Sequence, residues 1–149
     1  MFNGIIFNKG EITKISKRKK GINIFIKSNL KISSSKLGIS ISCDGVCLTL
    51  ISYNKKISEF YLSNETIQKS KFKKAKIGDL INLELPLKYG QNISGHICQG
   101  HVDTVSKITK ITAVDKSIIY EFSIDRKFHK YLVEKASILV NGVSLTIAK

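Results

Sequence analysis

Residues 40–50, SISCDGVCLTL, return ninety-seven positions later as residues 137–147, SILVNGVSLTI. Ser40, Ile41, Gly45, Val46, Leu48 and Thr49 of the first copy meet Ser137, Ile138, Gly142, Val143, Leu145 and Thr146 of the second. A chain carrying one unit twice is built as two similar halves. Each copy reads as an apolar run, a two-residue turn and a second apolar run. The turns are Asp44-Gly45 and Asn141-Gly142, dipeptides that accept the positive φ of a type I′ hairpin. Beyond each turn, side chains alternate with period two. Val46, Leu48 and Leu50 therefore share an apolar face, and Cys47 and Thr49 share the other. In the second copy Val143, Leu145 and Ile147 oppose Ser144 and Thr146. Two ordinary hairpins with exposed hydroxyls would present the same faces, so the pair alone does not define a site.

The duplication runs further back. Residues 4–15, GIIFNKGEITKI, match residues 100–111, GHVDTVSKITKI, at an offset of 96. One residue is thus inserted before the hairpin. Residues 52–87 of the first copy have no counterpart in the second. The expectation is one complete unit and one partial unit, either because the chain is a fragment or because its C-terminal half was lost.

A length of 149 residues suits one domain or two small ones. No apolar run approaches a membrane span, and the N-terminal MFNGIIFNKGE lacks the order of a signal peptide; a cytoplasmic protein is expected, without a membrane partner. The net charge of +14 invites a nucleic-acid reading. Against it, only Arg18 and Arg126 are arginine, and the lysines are scattered apart from residues 17–20 and 69–76. The abundance of Lys, Ile and Asn is what A/T-rich codons produce, and aromatic residues do not interleave with the basic runs. No nucleic-acid partner is expected. The three cysteines are an odd number and read as reduced thiols. Cys43 and Cys47 flank a turn in a spacing unlike a zinc knuckle; Cys43 reads as a small core residue, and no metal is expected.

Taken in order, residues 2–7, 12–16 and 21–27 read as strands, and residues 30–36, rich in serine, as a surface loop. After the hairpin come a strand over 57–62, a short helix capped at Ser63-Asn64, and a strand over 80–85 in which Leu80, Asn82 and Glu84 share one face. Short strands with turns between them indicate a small β-barrel or sandwich. The pattern breaks over 86–94. The organisation read here is a first unit over 1–88, a linker over 89–94 and a partial second unit over 95–149.

The second unit opens with GHICQGHVD, residues 95–103, which holds His96 and His101. His101 aligns with Ile5 and so breaks the symmetry of the repeat. A proton carrier needed once rather than twice would look like that.

MFNGII, DGVCLT, ETI, GDLINLE, GHICQGHVD and NGVSLT occur in this order across the chain, and together they resemble riboflavin synthase of the α-chain type. The resemblance implies an all-β fold of tandem six-stranded Greek-key barrels, the second incomplete here. It implies the dismutation of two 6,7-dimethyl-8-ribityllumazine molecules into riboflavin and a ribitylamino-pyrimidinedione, without cofactor or metal. It also implies a homotrimer for full-length members, with lumazine synthase as a candidate partner. The alternatives are a non-catalytic lumazine- or flavin-binding protein, an inactive fragment, and a basic RNA-binding barrel. Carried over residue by residue, the first barrel's ligand contacts fall on Gly4, Ile5 and Ile6, on Cys47, Leu48 and Thr49, and on Tyr61, Leu62, Ser63, Asn64, Glu65 and Thr66. Those of the second fall on Gly100, His101 and Val102, on Lys135, and on Ser144, Leu145 and Thr146. His101 is the candidate for proton transfer. Ser40 and Cys47 are candidates to assist at the reacting carbon, and Phe2 to stack on the ring system.

Overall fold

Both repeated turns take the predicted form. Asp44 and Gly45 have φ of 48° and 81°, and Asn141 and Gly142 have 47° and 82°, the two positive values of a type I′ hairpin. The computed structural model describes residues 1–32 and 37–149. Six strands close into a barrel: β1 (Asn8–Arg18), β2 (Gly21–Ser28), β3 (Ser40–Cys43), β4 (Val46–Asn54), β5 (Ile57–Ser63) and β6 (Leu80–Glu84), in the spatial order β1-β2-β5-β4-β3-β6. A short helix α1 (Asn64–Lys69) and a 3-10 turn (Lys71–Lys74) fill the crossover from β5 to β6. Period-two alternation along the strands points Ile12, Ile24, Ile26, Ile41, Leu50, Phe60, Leu62 and Ile81 inward, each at most 1% exposed. Every such side chain contributes about 1.5–3 kcal/mol relative to an exposed one, which holds the ring closed.

The second half consists of two separate hairpins. β7 (Lys107–Val114) pairs with β8 (Ser117–Ser123), and β9 (Ser137–Val140) with β10 (Val143–Thr146). The β7–β8 hairpin reproduces β1–β2 even to its irregularity: the register shifts between Ile12 and Lys14 in one and between Ile108 and Lys110 in the other. Its packing differs. Ile12 faces Ile26 inside the barrel, both at 0% exposure, whereas the equivalent Ile108 and Phe122 are 52% and 37% exposed. In the first half β5 and β6 cover this surface; among the described residues the second half has no strands equivalent to them, so its barrel is incomplete.

Two local expectations are corrected. Residues 2–7 do not form a strand: only Phe2 makes a bridge, and β1 begins at Asn8. Gly4, at φ 75°, interrupts the extended run, and its backbone partners lie outside any ladder of the barrel. Residues 30–36 were expected on the surface, yet Leu30 and Ile32 are buried in the core; residues 33–36 lie outside the described residues. The short helix is as expected, with Ser63 Oγ accepting from the Thr66 N–H at 3.2 Å.

Candidate functional site

The ladder between β4 and β5 stops before the strands do. It runs from Asn54–Ile57 to Leu50–Phe60, with an irregularity between Leu50 and Ser52. β5 then continues to Ser63 alongside β2 and bends into α1. Residues 47–49 of β4 and residues 61–66 therefore lack a ladder between them, leaving a gap in the pairing beside buried Leu48 and Leu62. Thr49 stands opposite Ser40 and Cys47 opposite Ser42 in the β3–β4 register, so these four side chains share the outer face beside the gap. Thr49 is exposed, Ser40 and Cys47 half-buried, and Ser42 buried. Burial pushes the thiol of neighbouring Cys43 well up, with Asp44 and Cys47 adding to the effect; the proton stays on, as suits the core role expected for it.

Where β5 has left, the second copy fills in. The Cys47 N–H donates to the Gly100 carbonyl at 2.8 Å. A Cβ on Gly100 would lie 2.6 Å from the Cys47 Cβ, so only glycine allows this approach. The chain goes on to His101, whose ring is exposed, and to Val102, which packs against the barrel core.

The reciprocal contact exists on the other half. The Ser144 N–H donates to the Gly4 carbonyl at 2.8 Å. Phe2 and Cys98, equivalent positions of the two copies, exchange backbone bonds of 2.8 and 2.9 Å. The hairpin turns abut as well: a Cβ on Gly142 would be 2.9 Å from the Gly45 nitrogen, and one on Gly45 2.8 Å from the Gly142 nitrogen. Equivalent atoms meeting in this way define a local twofold axis. Across that axis each copy's edge is completed by the other copy. Gly4 is set against Ser144, and Gly100 against Cys47. Period-two alternation gives the faces of a strand but not which half supplies its neighbour.

Sequence reasoning also missed three residues. Glu84, 9% exposed, accepts from the Asn3 N–H at 2.7 Å and the Gly4 N–H at 3.0 Å, fastening the leading segment to the end of β6. The burial of Cys98 pushes its own thiol up, and the nearby Glu84 charge adds to the effect. Asn3 Oδ1 accepts from the Gly95 N–H at 2.7 Å, tying the start of one copy to the start of the other. His96 is the third: its Nδ1 lies 2.7 Å from Ser144 Oγ. An imidazole and a hydroxyl so joined can pass a proton. The only sequence signal was two histidines five residues apart, and the asymmetry argument favoured the other one. Lys135, at φ 68°, is exposed beside Glu134, and its N–H donates to Ile147 at 2.8 Å, close to the end of β10. Leu145 and Thr146 are exposed on β10, while Ile5 and Ile6 are half-buried after Gly4. No helix among the described residues is long and apolar enough to cross a membrane.

Comparison with known proteins places this geometry. The lumazine binding domain family matches residues 3–86 and again residues 99–149. The riboflavin synthase of Bacillus subtilis (strain 168) is 33% identical over 147 residues, covering 99% of this chain and 68% of that protein. That of Chlamydia pneumoniae is 36% identical over 148 residues, covering 99% and 72%. Among solved structures, LumP complexed with riboflavin superposes with a TM-score of 0.82 at 22% identity, over 98% of this chain and 79% of LumP. LumP complexed with 6,7-dimethyl-8-(1'-D-ribityl) lumazine gives 0.79 at 21%, over 98% and 78%. These two likenesses speak for the fold.

Proposed function

The chain belongs to the riboflavin synthase family of enzymes, built on lumazine-binding domains, and on that premise we propose that it takes 6,7-dimethyl-8-ribityllumazine into the gap between β4 and α1 and serves the dismutation of two such molecules to riboflavin. The reciprocal docking of Gly100 on Cys47 and of Gly4 on Ser144 is the observation that carries the reading. The reaction moves a four-carbon unit between two identical molecules held in opposed orientations. The two twofold-related edges give each chain one site of either kind, and bringing the two kinds together between subunits then supplies much of the rate by positioning.

In this proposal the first site has Cys47, Leu48 and Thr49 on one wall and Tyr61, Leu62, Ser63, Asn64, Glu65 and Thr66 on the other, with Gly100, His101 and Val102 closing it. The second site is built from Gly4, Ile5 and Ile6 with Lys135, Ser144, Leu145 and Thr146. His101 takes the proton of the acidic C7 methyl, and Cys47 and Ser40 assist at the reacting carbon. His96, bonded to Ser144, offers a corresponding proton route at the second site. In the assembled enzyme we place the first half of one subunit against the second half of another within a homotrimer, in the cytoplasm, with lumazine synthase as a candidate supplier of substrate. Neither metal nor cofactor is required.

Among the described residues the second half has no wall equivalent to β5 and α1, so the 149-residue chain binds one lumazine firmly rather than two. A fluorescence titration with lumazine tests this, saturating at one ligand per chain. Absence of saturable binding refutes the ligand; two equal sites refute the asymmetry between the halves.

A further inference from the structure

Asp44 and Asn141 hold the same place in the two repeated turns, with φ of 48° and 47°. The neutral Asn141 shows that the turn itself needs no charge. Asp44 carries one nonetheless, on a side chain only 3% exposed. Its Oδ1 accepts from the Asn82 N–H of β6 at 2.8 Å, a bond that an asparagine oxygen can also take. Its Oδ2 meets Lys71 Nζ at 2.6 Å and, among the described residues, no other polar partner. Burial pushes the Asp44 carboxyl up from its ordinary range; Lys71 and the Asn82 N–H pull it back, and Asp79 adds to the rise. With the net shift upward, holding the ionised form at neutral pH costs the fold stability rather than adding to it. What the charge supplies beyond Asn141 is the hold on Lys71.

That hold joins two stretches which no ladder joins. Residues 47–49 follow the Asp44 turn directly, and residues 61–66 run into α1. Among the described residues no backbone hydrogen bond links residues 43–49 to residues 61–75. Lys71 is continuous with α1 through Ser70, which is 3% exposed. The Ser70 hydroxyl donates to the Thr66 carbonyl at 2.6 Å and accepts from the Phe72 N–H at 3.3 Å, and Phe72 is buried in the barrel core. Lys71 therefore reaches from the end of α1 to the turn that starts β4. The same turn is where the halves meet, since Asn82 Nδ2 donates to the Asn141 carbonyl at 3.0 Å.

Resting on the ligand reading given above, we propose that Lys71 and Asp44 are positioning residues of the first site: their ion pair holds α1 and residues 63–66 at a fixed spacing from residues 47–49. Neither residue is placed in contact with the ligand. A site whose two sides are already spaced loses less freedom when it is filled. The cost of burying the carboxylate is thus offset in ligand affinity and not in folding.

The full chain and the variants Asp44→Asn, Lys71→Met and the two combined are titrated by fluorescence with 6,7-dimethyl-8-ribityllumazine, and the thermal unfolding of each is recorded. Asp44→Asn should keep the turn, as Asn141 does, and unfold no earlier than the unaltered chain. It should nevertheless bind the ligand about tenfold more weakly. Lys71→Met leaves a buried carboxylate without its cation, so it should unfold earlier and lose about the same affinity. The combined variant should bind no more weakly than either single one, because one pair can be broken only once. A purely structural role would lower affinity and unfolding temperature together in Asp44→Asn, and that result overturns the proposal. Unchanged affinity in Asp44→Asn overturns it too, as do losses that add in the combined variant. Failure of the unaltered chain to bind overturns the ligand reading and the positioning role with it.

Discussion

Replacing Glu84 by glutamine should release the leading segment without opening the barrel. The carboxylate accepts two backbone N–H groups, from Asn3 at 2.7 Å and from Gly4 at 3.0 Å. Glutamine offers one oxygen and one amide nitrogen, so one N–H faces another donor and the remaining bond loses its charge. Hydrogen bonds to charged groups are worth about 1.5–3 kcal/mol each, and the substitution should cost about 2–4 kcal/mol on that scale. The loss is local because residues 1–7 belong to no strand. The bonds that depend on the segment should weaken with it: Cys98 N–H to Phe2, His96 N–H to Asn3 and Ser144 N–H to Gly4. Amide hydrogen exchange resolves the effect residue by residue. The amides of Asn3, Gly4, Cys98 and Ser144 should exchange about 30- to 700-fold faster, at tenfold per 1.4 kcal/mol. Those of Ile24, Ile41 and Phe60 should not change. Unchanged rates at Asn3 and Gly4 would refute the latch, and a uniform rise across β1–β6 would show that Glu84 supports the barrel itself.

Gly142→Ala should destabilise more than Gly38→Ala: both positions have positive φ, but among the described residues only at Gly142 does a Cβ meet a neighbour, the Gly45 nitrogen at 2.9 Å. Thermal unfolding measures the difference, and equal losses would mean that the two turns do not press together. Thr49→Val should weaken lumazine or riboflavin binding by about 1 kcal/mol or more, since a ligand polar atom loses its partner; an unchanged fluorescence titration counts against Thr49 as a contact. Of the three cysteines only Cys47 is half-buried, so it should react first with a thiol reagent and be protected by lumazine, whereas labelling at equal rates with and without ligand would remove it from the site. Limited proteolysis should cut first beyond residue 95 and leave a resistant N-terminal piece; early cuts inside β1–β6 would contradict the difference in burial between the halves.

The parts of this molecule that follow from local chemistry were readable in the sequence. Asp44-Gly45 and Asn141-Gly142 announce their turns because few other pairs accept the backbone angles. Ser63 announces a helix cap, and the alternation of Val46, Leu48 and Leu50 announces the inner face. Features that depend on what a segment meets in space were not readable. Gly4 looks like a strand residue until Glu84 and Ser144 take its backbone groups. Leu30 and Ile32 look like loop until the core is seen to extend under them. Ile108 and Phe122 carry the same pattern as buried Ile12 and Ile26, and nothing in their own residues says that their cover is absent. His96 and His101 were weighed by symmetry, which cannot register a 2.7 Å contact with Ser144.

Because Gly100 completes the edge of β4 and Gly4 completes the edge of β10, the two copies do not mature in the order in which they are made. The six barrel strands can close once Glu84 has left the ribosome. At that moment Cys47 still has an unmatched N–H, and Phe2 has no Cys98 to pair with. The free edge of β4 at Cys47 is finished by a residue belonging to the next unit. Duplication has therefore left two modules that lean on each other: a gene that dropped either one would take with it the backbone partner that completes the other's strand edge.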